Sequence, residues 1–257
     1  MSQKIVACYK WVLDEADVSF DKDLNPDMSK ARPKISEYDR NAIEAAVQLA
    51  DEAGEGLSVG LTVGDSGAAS SQKEALARGL SEAVLVDTGA EAVTDYVVLA
   101  DALAAGIGNI GEVSVVVCSE GSSDQFGRQT APRLAAVLDW PVVTAVTGMS
   151  LEGDTLRAVR KLEDVEETVE VPLPCVVAVL PEINSPEMPG MRAILDARKK
   201  PSEQVALADL AVETDPAAEV TGLKGYQTER KNIVIDEGSA EANVAALLAA
   251  LRKEGVA

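Results

Sequence analysis

Apolar and polar positions along this chain switch repeatedly between a period of two and a period near 3.6, and the switches predict its elements. A short apolar run over residues 5–12, interrupted by Tyr9 and Lys10, reads as a first strand that delivers polar residues at its C-terminal end. The stretch 21–33 holds Asn25, Pro26 and Pro33 and reads as loop. Ser36 and Asp39 are placed to cap a helix over 40–52, whose Ile43, Ala46, Val47 and Ala50 share a face and which Gly54 and Gly56 end. Strand patterns follow at 57–63, 83–86 and 113–118, with helical patterns at 70–78 and 94–107 between them. In the second of these helices Val97, Ala100, Leu103 and Ala104 form the apolar side. Strands and helices in this alternation call for a parallel, doubly wound sheet.

A polar stretch at 119–130 then leads into a helix that runs through Val137. Residues 142–149 and 155–162 read as strands around a Glu152-Gly153-Asp154 turn, and 168–171 alternates, so a β-meander is expected before one more buried strand at 176–180. From Pro201 the composition turns loop-like, with an acidic stretch at 213–219, a last possible strand at 232–235 and an Ala/Leu-rich helix at 240–252. The expected architecture is α/β: a doubly wound, mostly parallel sheet with a β-meander and an extended C-terminal arm. Residues 1–200 are expected to form the main domain and 201–257 the extension.

Composition narrows the function. Hydrophobic residues reach 47% while aromatics are only 3%, so the core is built from Ala, Val, Leu and Ile, the filling of parallel strands under Ala-rich helices. A formal charge of -20 repels phosphate backbones and anionic lipid; a protein or small-molecule partner is expected, with no nucleic acid. The chain contains no His, which removes the commonest general base and metal ligand and disfavours a hydrolase or zinc enzyme; no metal site is expected. Cys8, Cys118 and Cys175 each sit in an apolar run without Cys-x-x-Cys spacing and read as small buried hydrophobes. No stretch reaches ~18 uninterrupted apolar residues, and the Met-Ser-Gln-Lys start lacks signal-peptide architecture. A soluble, cytoplasmic protein with no direct membrane insertion is expected.

Open parallel sheets bind ligands at the C-terminal ends of their strands, where the strand order reverses. Three segments arrive at that edge with suitable chemistry: Ala7-Cys8-Tyr9-Lys10, Thr62-Val63-Gly64, and 119–130. The last offers Gly121 and Gly127 for close backbone approach, the hydroxyls of Ser119, Ser122, Ser123 and Thr130, Asp124, Arg128 and the amide of Gln129, with a helix start just beyond. Backbone N–H groups at a helix N-terminus beside hydroxyls and an Arg are what a phosphate needs. Ser122 and Ser123 as plain turn and cap residues remain an alternative. The segment has neither a Gly-Lys-Ser/Thr ending nor a Gly-x-Gly-x-x-Gly fingerprint.

Four separated motifs in order, Ile35-Ser-Glu-Tyr-Asp-Arg-Asn-Ala-Ile-Glu-Ala-Ala, the Gly121-to-Pro132 loop, Val171-Pro-Leu-Pro-Cys-Val-Val-Ala-Val, and the segment from Ile183 to Pro201 that contains Asn184, Pro186, Met188, Met191 and Ile194, resemble the beta subunit of electron transfer flavoproteins. The likeness covers nearly the whole chain, and the tail from Gln227 to Asp236 is most similar to the Fix-type branch, associated with carnitine or acyl-CoA metabolism and, in some members, nitrogen fixation. The resemblance implies an adenine nucleotide alpha-hydrolase-like fold in a heterodimer. In it an FAD-binding alpha subunit carries the redox flavin, and this chain, with no catalytic residue of its own, holds AMP or, in bifurcating members, a second FAD. It implies adenine against Cys8, the Ser36, Glu37, Tyr38 and Asp39 segment and Val63, with phosphate in the loop ending Arg128, Gln129 and Thr130. Arg128 replaces an uncharged residue of the family, and Tyr38 occupies the place of an aromatic near the partner's flavin, or is simply a half-buried aromatic at a helix start. Residues 182–200, from Glu182, are similar to the loop that docks an acyl-CoA dehydrogenase or quinone oxidoreductase, with Met191 as the apolar anchor; plain loop packing of Met188 and Met191 is the alternative. Arg198, Lys199 and Lys200 form either a solvated helix end or a subunit contact. A bifurcating, NADH-oxidising flavoprotein and a stand-alone nucleotide sensor are the competing readings.

Overall fold

Val and Ile, stiff at χ1 and well suited to a pleated surface, concentrate in the short runs that become the centre of one large sheet. The computed structural model describes residues 3–90, 93–212, 215–227 and 230–256, so Met1, Ser2, the first residue of the acidic stretch (Glu213), and Thr228 and Glu229 of the tail motif lie outside the described residues. The chain opens with β1 (Lys4–Cys8) and an excursion of short strands, β2 (Trp11–Leu13), β3 (Ser19–Phe20), β4 (Pro26–Asp27) and β5 (Pro33–Ile35). It continues through α1 (Glu37–Glu52), β6 (Leu57–Gly64), α2 (Ala69–Ala77), β7 (Glu82–Asp87), α3 (Tyr96–Ile110), β8 (Val115–Ser119) and α4 (Thr130–Leu138). The meander β9 (Val142–Glu152), β10 (Thr155–Lys161) and β11 (Glu166–Pro172) precedes β12 (Cys175–Val179), and α5 (Met191–Ala197), β13 (Ser202–Ala206) and α6 (Ala240–Lys253) complete the chain.

Nine strands share one sheet in the order β11-β10-β9-β12-β8-β1-β6-β7-β13. From β9 to β13 every neighbouring pair is parallel, and only β9-β10-β11 is antiparallel. The alternation of each central strand divides the core in two. Ile5, Ala7, Val115 and Val117 face α1 and α2, joined by Ile43, Ala46 and Leu76. Val6, Cys8, Val59, Leu61, Val116 and Cys118 face α3 and α4, joined by Leu103, Ile107 and Leu134. Helices on both faces of a mostly parallel sheet are the expected α/β architecture.

Four expectations need correction. The first apolar run is two strands: β1 ends at Cys8, Tyr9 keeps one last bond to Leu61, and β2 pairs antiparallel with β5 instead. The helix expected from Arg40 begins at Glu37, with Ser36 in the cap position but making no side-chain cap bond, and Asp39 inside the first turn. Residues 202–206, read as loop, form β13 and extend the sheet beside β7. Residues 232–235 form no strand; Ile233 and Val234 are exposed and no strand among the described residues pairs with them.

The segment after β12 is pinned at both ends. At its start Asn41 and Asn184 bond each other, and at its end Lys200 Nζ donates to the carbonyls of Leu76, Gly79 and Leu80 at 3.1, 3.3 and 2.6 Å. These are carbonyls at and just beyond the C-terminus of α2, where a cation is favoured. Lys200 is therefore spent inside the fold, while Arg198 and Lys199 are exposed.

Candidate functional site

The chain leaves β1 and β8 in opposite directions. β1 leads through α1 to β6 on one side, and β8 leads through α4 to β9 on the other, so the crevice at their C-terminal ends is the switch point of the sheet. A cavity of about 70 Å³ opens there, on the α3 side. That is room for about five waters, the scale of a flat heteroaromatic ring, with the rest of any larger ligand lying along the open rim.

One wall is apolar. Cys8, Cys118 and Val63 supply it from the strand ends, and Tyr96, Leu99 and Leu103 supply it from α3, where their spacing puts them on one face. Cys8 and Cys118 are neighbours across the β1-β8 pair; the contact with Cys118, together with burial, pushes the Cys8 thiol well up, so Cys8 acts as a neutral packing group.

The floor is set by a buried carboxylate. Asp39 is 4% exposed, takes the backbone N–H of Lys10 at 2.8 Å, and accepts a short hydrogen bond from the Ser119 hydroxyl. Burial pushes its carboxyl up to about 6, against the pull of these two donors. Ser36, fully buried, turns its Oγ away from its own helix to accept the Ser123 N–H at 3.1 Å. The first turn of α1 is thus stitched to both β1 and the loop after β8.

That loop holds unusual backbone. Phe126 (φ 47°) and Arg128 (φ 55°) both lie in the left-handed region that side chains disfavour. Between them Gly127 presses on Tyr96, where an added Cβ would stand 2.0 Å from the phenol oxygen. The Arg128 guanidinium stacks 5.0 Å from the Phe126 ring, which in turn meets Tyr38 at 5.1 Å between centroids. Lys10 Nζ reaches Asp124 at 2.6 Å across the mouth. No side chain caps the N-terminus of α4, and Ser123 Oγ is buried without a partner.

Of the residues read from sequence, Cys8, Asp39, Val63, Ser119, Gly121, Ser122, Gly127, Arg128 and Thr130 line this cavity. Ala7 faces the opposite core, and Thr62 is fully buried next to it with its hydroxyl unpartnered. Ser36, Glu37, Tyr38, Gly64, Ser123 and Asp124 are not part of the lining, and Gln129 turns outward to accept from Arg133 at 2.8 Å. Sequence reasoning missed Val93, Tyr96, Leu99, Leu103 and Cys118. The spacing of Tyr96, Leu99 and Leu103 behind the cap Asp95 is the signal that could have found the α3 wall.

A model of the electron transfer flavoprotein domain matches residues 27–210, well over half of the chain. The chain belongs to the electron transfer flavoprotein family. Membership makes the crevice of interest for a nucleotide cofactor, because the family is flavin-associated. The residues present fit one: an apolar slot for a ring, Lys10 and Arg128 beside an uncapped helix N-terminus for an anion, and the unspent Ser123 hydroxyl. A second cavity, about 510 Å³, lies between the ends of β7 and β13 and the start of α3, and shares Val93 with the first. No helix among the described residues is long and apolar enough to cross a membrane.

The other flavoprotein-like segment is a ledge rather than a pocket. Glu182 lies in a short 3-10 turn, Asn184 and Pro186 are half-buried, and Met188 (80% exposed), Met191 (74%), Ile194 and Leu195 make an open apolar patch at and before α5. Leu195 was not among the residues read from sequence.

Proposed function

We propose that this chain is the beta-type subunit of a cytoplasmic, heterodimeric electron transfer flavoprotein, nearest the Fix-type branch, and that its crevice holds AMP while an FAD-binding alpha subunit carries the electrons. The observation that carries this reading is the cavity at the switch point, whose wall is apolar and whose rim carries Lys10, Arg128 and an uncapped helix start, in a chain of this family. FAD in the partner subunit supplies the redox chemistry. This chain's own part is to bind and to position: Cys8, Val63 and Leu103 pack the adenine, and Lys10, Arg128, Thr130 and the amides at the start of α4 face the phosphate. Of the 201–257 extension, the part beyond β13 and Leu207 wraps the alpha subunit. None of α6 is buried, and its Val244, Leu247 and Leu248 are left exposed, which suits a helix made to be covered.

Met188, Met191, Ile194 and Leu195 form the ledge that docks an acyl-CoA dehydrogenase or quinone oxidoreductase. Thioether side chains conform to more than one pocket, as a shared carrier requires. Met191→Ala is expected to raise the KM for the electron-transfer partner about tenfold, a loss of roughly 1–2 kcal/mol at a central anchor, while FAD content stays the same. Steady-state reduction at varied partner concentration checks this, and an unchanged KM counts against the ledge.

The second reading, a bifurcating subunit with FAD in this crevice and NADH as reductant, is favoured by the large neighbouring cavity, which would take the other half of a dinucleotide. Mass spectrometry of ligands released from the purified complex separates the two. One AMP and one FAD per heterodimer supports the first reading, two FAD supports the second, and a nucleotide-free, stable homodimer rejects both.

A further inference from the structure

One helical turn touches both the crevice and the docking ledge. Ser36 and Asp39 take hydrogen bonds from Ser123 and Ser119 of the loop after β8, and from the backbone of Lys10. Two residues further on, Asn41 is 8% exposed and reaches the opposite way. Its Nδ2 shares two hydrogens among Pro181 O, Asn184 O and Asn184 Oδ1, all at 3.0 Å, and its own carbonyl accepts Asn184 Nδ2 at 3.0 Å. The stretch of chain so held leads directly to Met188 and Met191. Behind this turn Ala42, Ile43 and Ala46 are fully buried, so α1 is backed by packed core and has little freedom to absorb a displacement locally.

We infer that Asn41 is a positioning residue that couples occupancy of the crevice to the shape of the docking ledge. This rests on the reading of the crevice as a nucleotide site. A phosphate that draws the Ser119–Thr130 loop to itself alters the pull on Ser36 and Asp39. Asn41, on the same rigid turn, passes the change to residues 181–184. The nucleotide then acts on partner recognition from a site that the partner does not touch, and the effect is reciprocal.

The test is hydrogen exchange by mass spectrometry on the full-length protein purified with its partner subunit, nucleotide-stripped and then resupplied with AMP. Direct titration with AMP runs alongside. In the unaltered protein AMP is expected to slow exchange in peptides spanning 182–195 about fivefold or more, the scale of an ordinary coupling between sites. In Asn41→Ala, and independently in Asn184→Ala, whose side chain lies on the ledge side and is less needed for folding, AMP should bind with the same affinity while 182–195 no longer responds. AMP binding with no response in the unaltered protein, or with the full response kept in either variant, overturns the coupling and leaves the nucleotide site standing. Failure of AMP to bind at all overturns the nucleotide reading and the coupling with it.

Discussion

Gly127→Ala is expected to empty the nucleotide crevice. A Cβ at this position would stand 2.0 Å from Tyr96 Oη and 2.4 Å from Cζ, inside any real contact distance. Phe126 and Arg128 on either side are already in the left-handed region, so the loop has little room to yield by rotation. The clash must displace either the α3 wall or the backbone that leads to α4, and both belong to the site. Overpacking of this kind costs about 1–3 kcal/mol, which on the affinity scale is a loss of roughly tenfold to a hundredfold in nucleotide retention. Quantifying the nucleotide carried by the purified variant checks it. The Gly127→Ala/Tyr96→Ala double variant should recover part of the loss, because the obstructing ring is gone. A single variant that retains its full nucleotide content would mean the loop does not shape the site.

The second large effect is on stability against pH. Burial raises the Asp39 carboxyl from 3.8 to about 6, so the folded protein keeps a proton there that the unfolded chain releases. Between about pH 4 and pH 6 the unfolded state therefore binds fewer protons at this group. Its contribution is fully present below that window and is lost as the pH rises through it. The loss is on the order of 3 kcal/mol, because each tenfold difference in proton affinity between the two states is worth ~1.4 kcal/mol. Asp39→Asn removes the titration. The variant leaves an amide opposite the Lys10 N–H donor, an offset that is the same at every pH, so the informative quantity is the slope. Denaturant unfolding from pH 4 to pH 7 should show the variant gaining on the unaltered protein as the pH rises. Parallel stability curves would place the Asp39 carboxyl near its ordinary value.

The parallel core was legible in the sequence because its strands are rich in Val and Leu with only small residues between them: 57–63, Leu-Ser-Val-Gly-Leu-Thr-Val, and the Val-rich 113–118 are close to the observed β6 and β8. What escaped was structure whose local pattern carries no such signal. β13 reads Ser-Glu-Gln-Val-Ala, a mostly exposed edge strand held by pairing with β7, and its half-buried Val205 is too little apolar pattern to mark it. The opposite error occurred at 232–235, where a good β pattern finds no strand to pair with. Strand formation is a tertiary event, and a β-branched run alone does not provide the partner.

The candidate site divides along the same line. Its polar loop was visible because glycines, hydroxyls and a helix start cluster in sequence. Its apolar wall was not, since Tyr96, Leu99 and Leu103 look like any helix face packed on a core. Asp39 shows a subtler limit. An acidic residue near a helix start reads as a cap or a dipole partner, yet here it is turned inward to hold Lys10 and Ser119, and only the tertiary arrangement distinguishes the two roles. Lys200 is similar: in sequence it belongs to a surface cluster with Arg198 and Lys199, but in the fold it is bound to three carbonyls of a different segment.

The claim on which the rest depends is that an adenine nucleotide sits where β1 and β8 end. A crystal structure of the heterodimer with AMP addresses it most directly. The account requires the ring against Cys8, Val63 and Leu103 and the phosphate within hydrogen-bond reach of the Thr130 and Ala131 amides. Density for the nucleotide anywhere else in the complex, with Tyr96 and Arg128 closing this crevice over its own side chains, would contradict it.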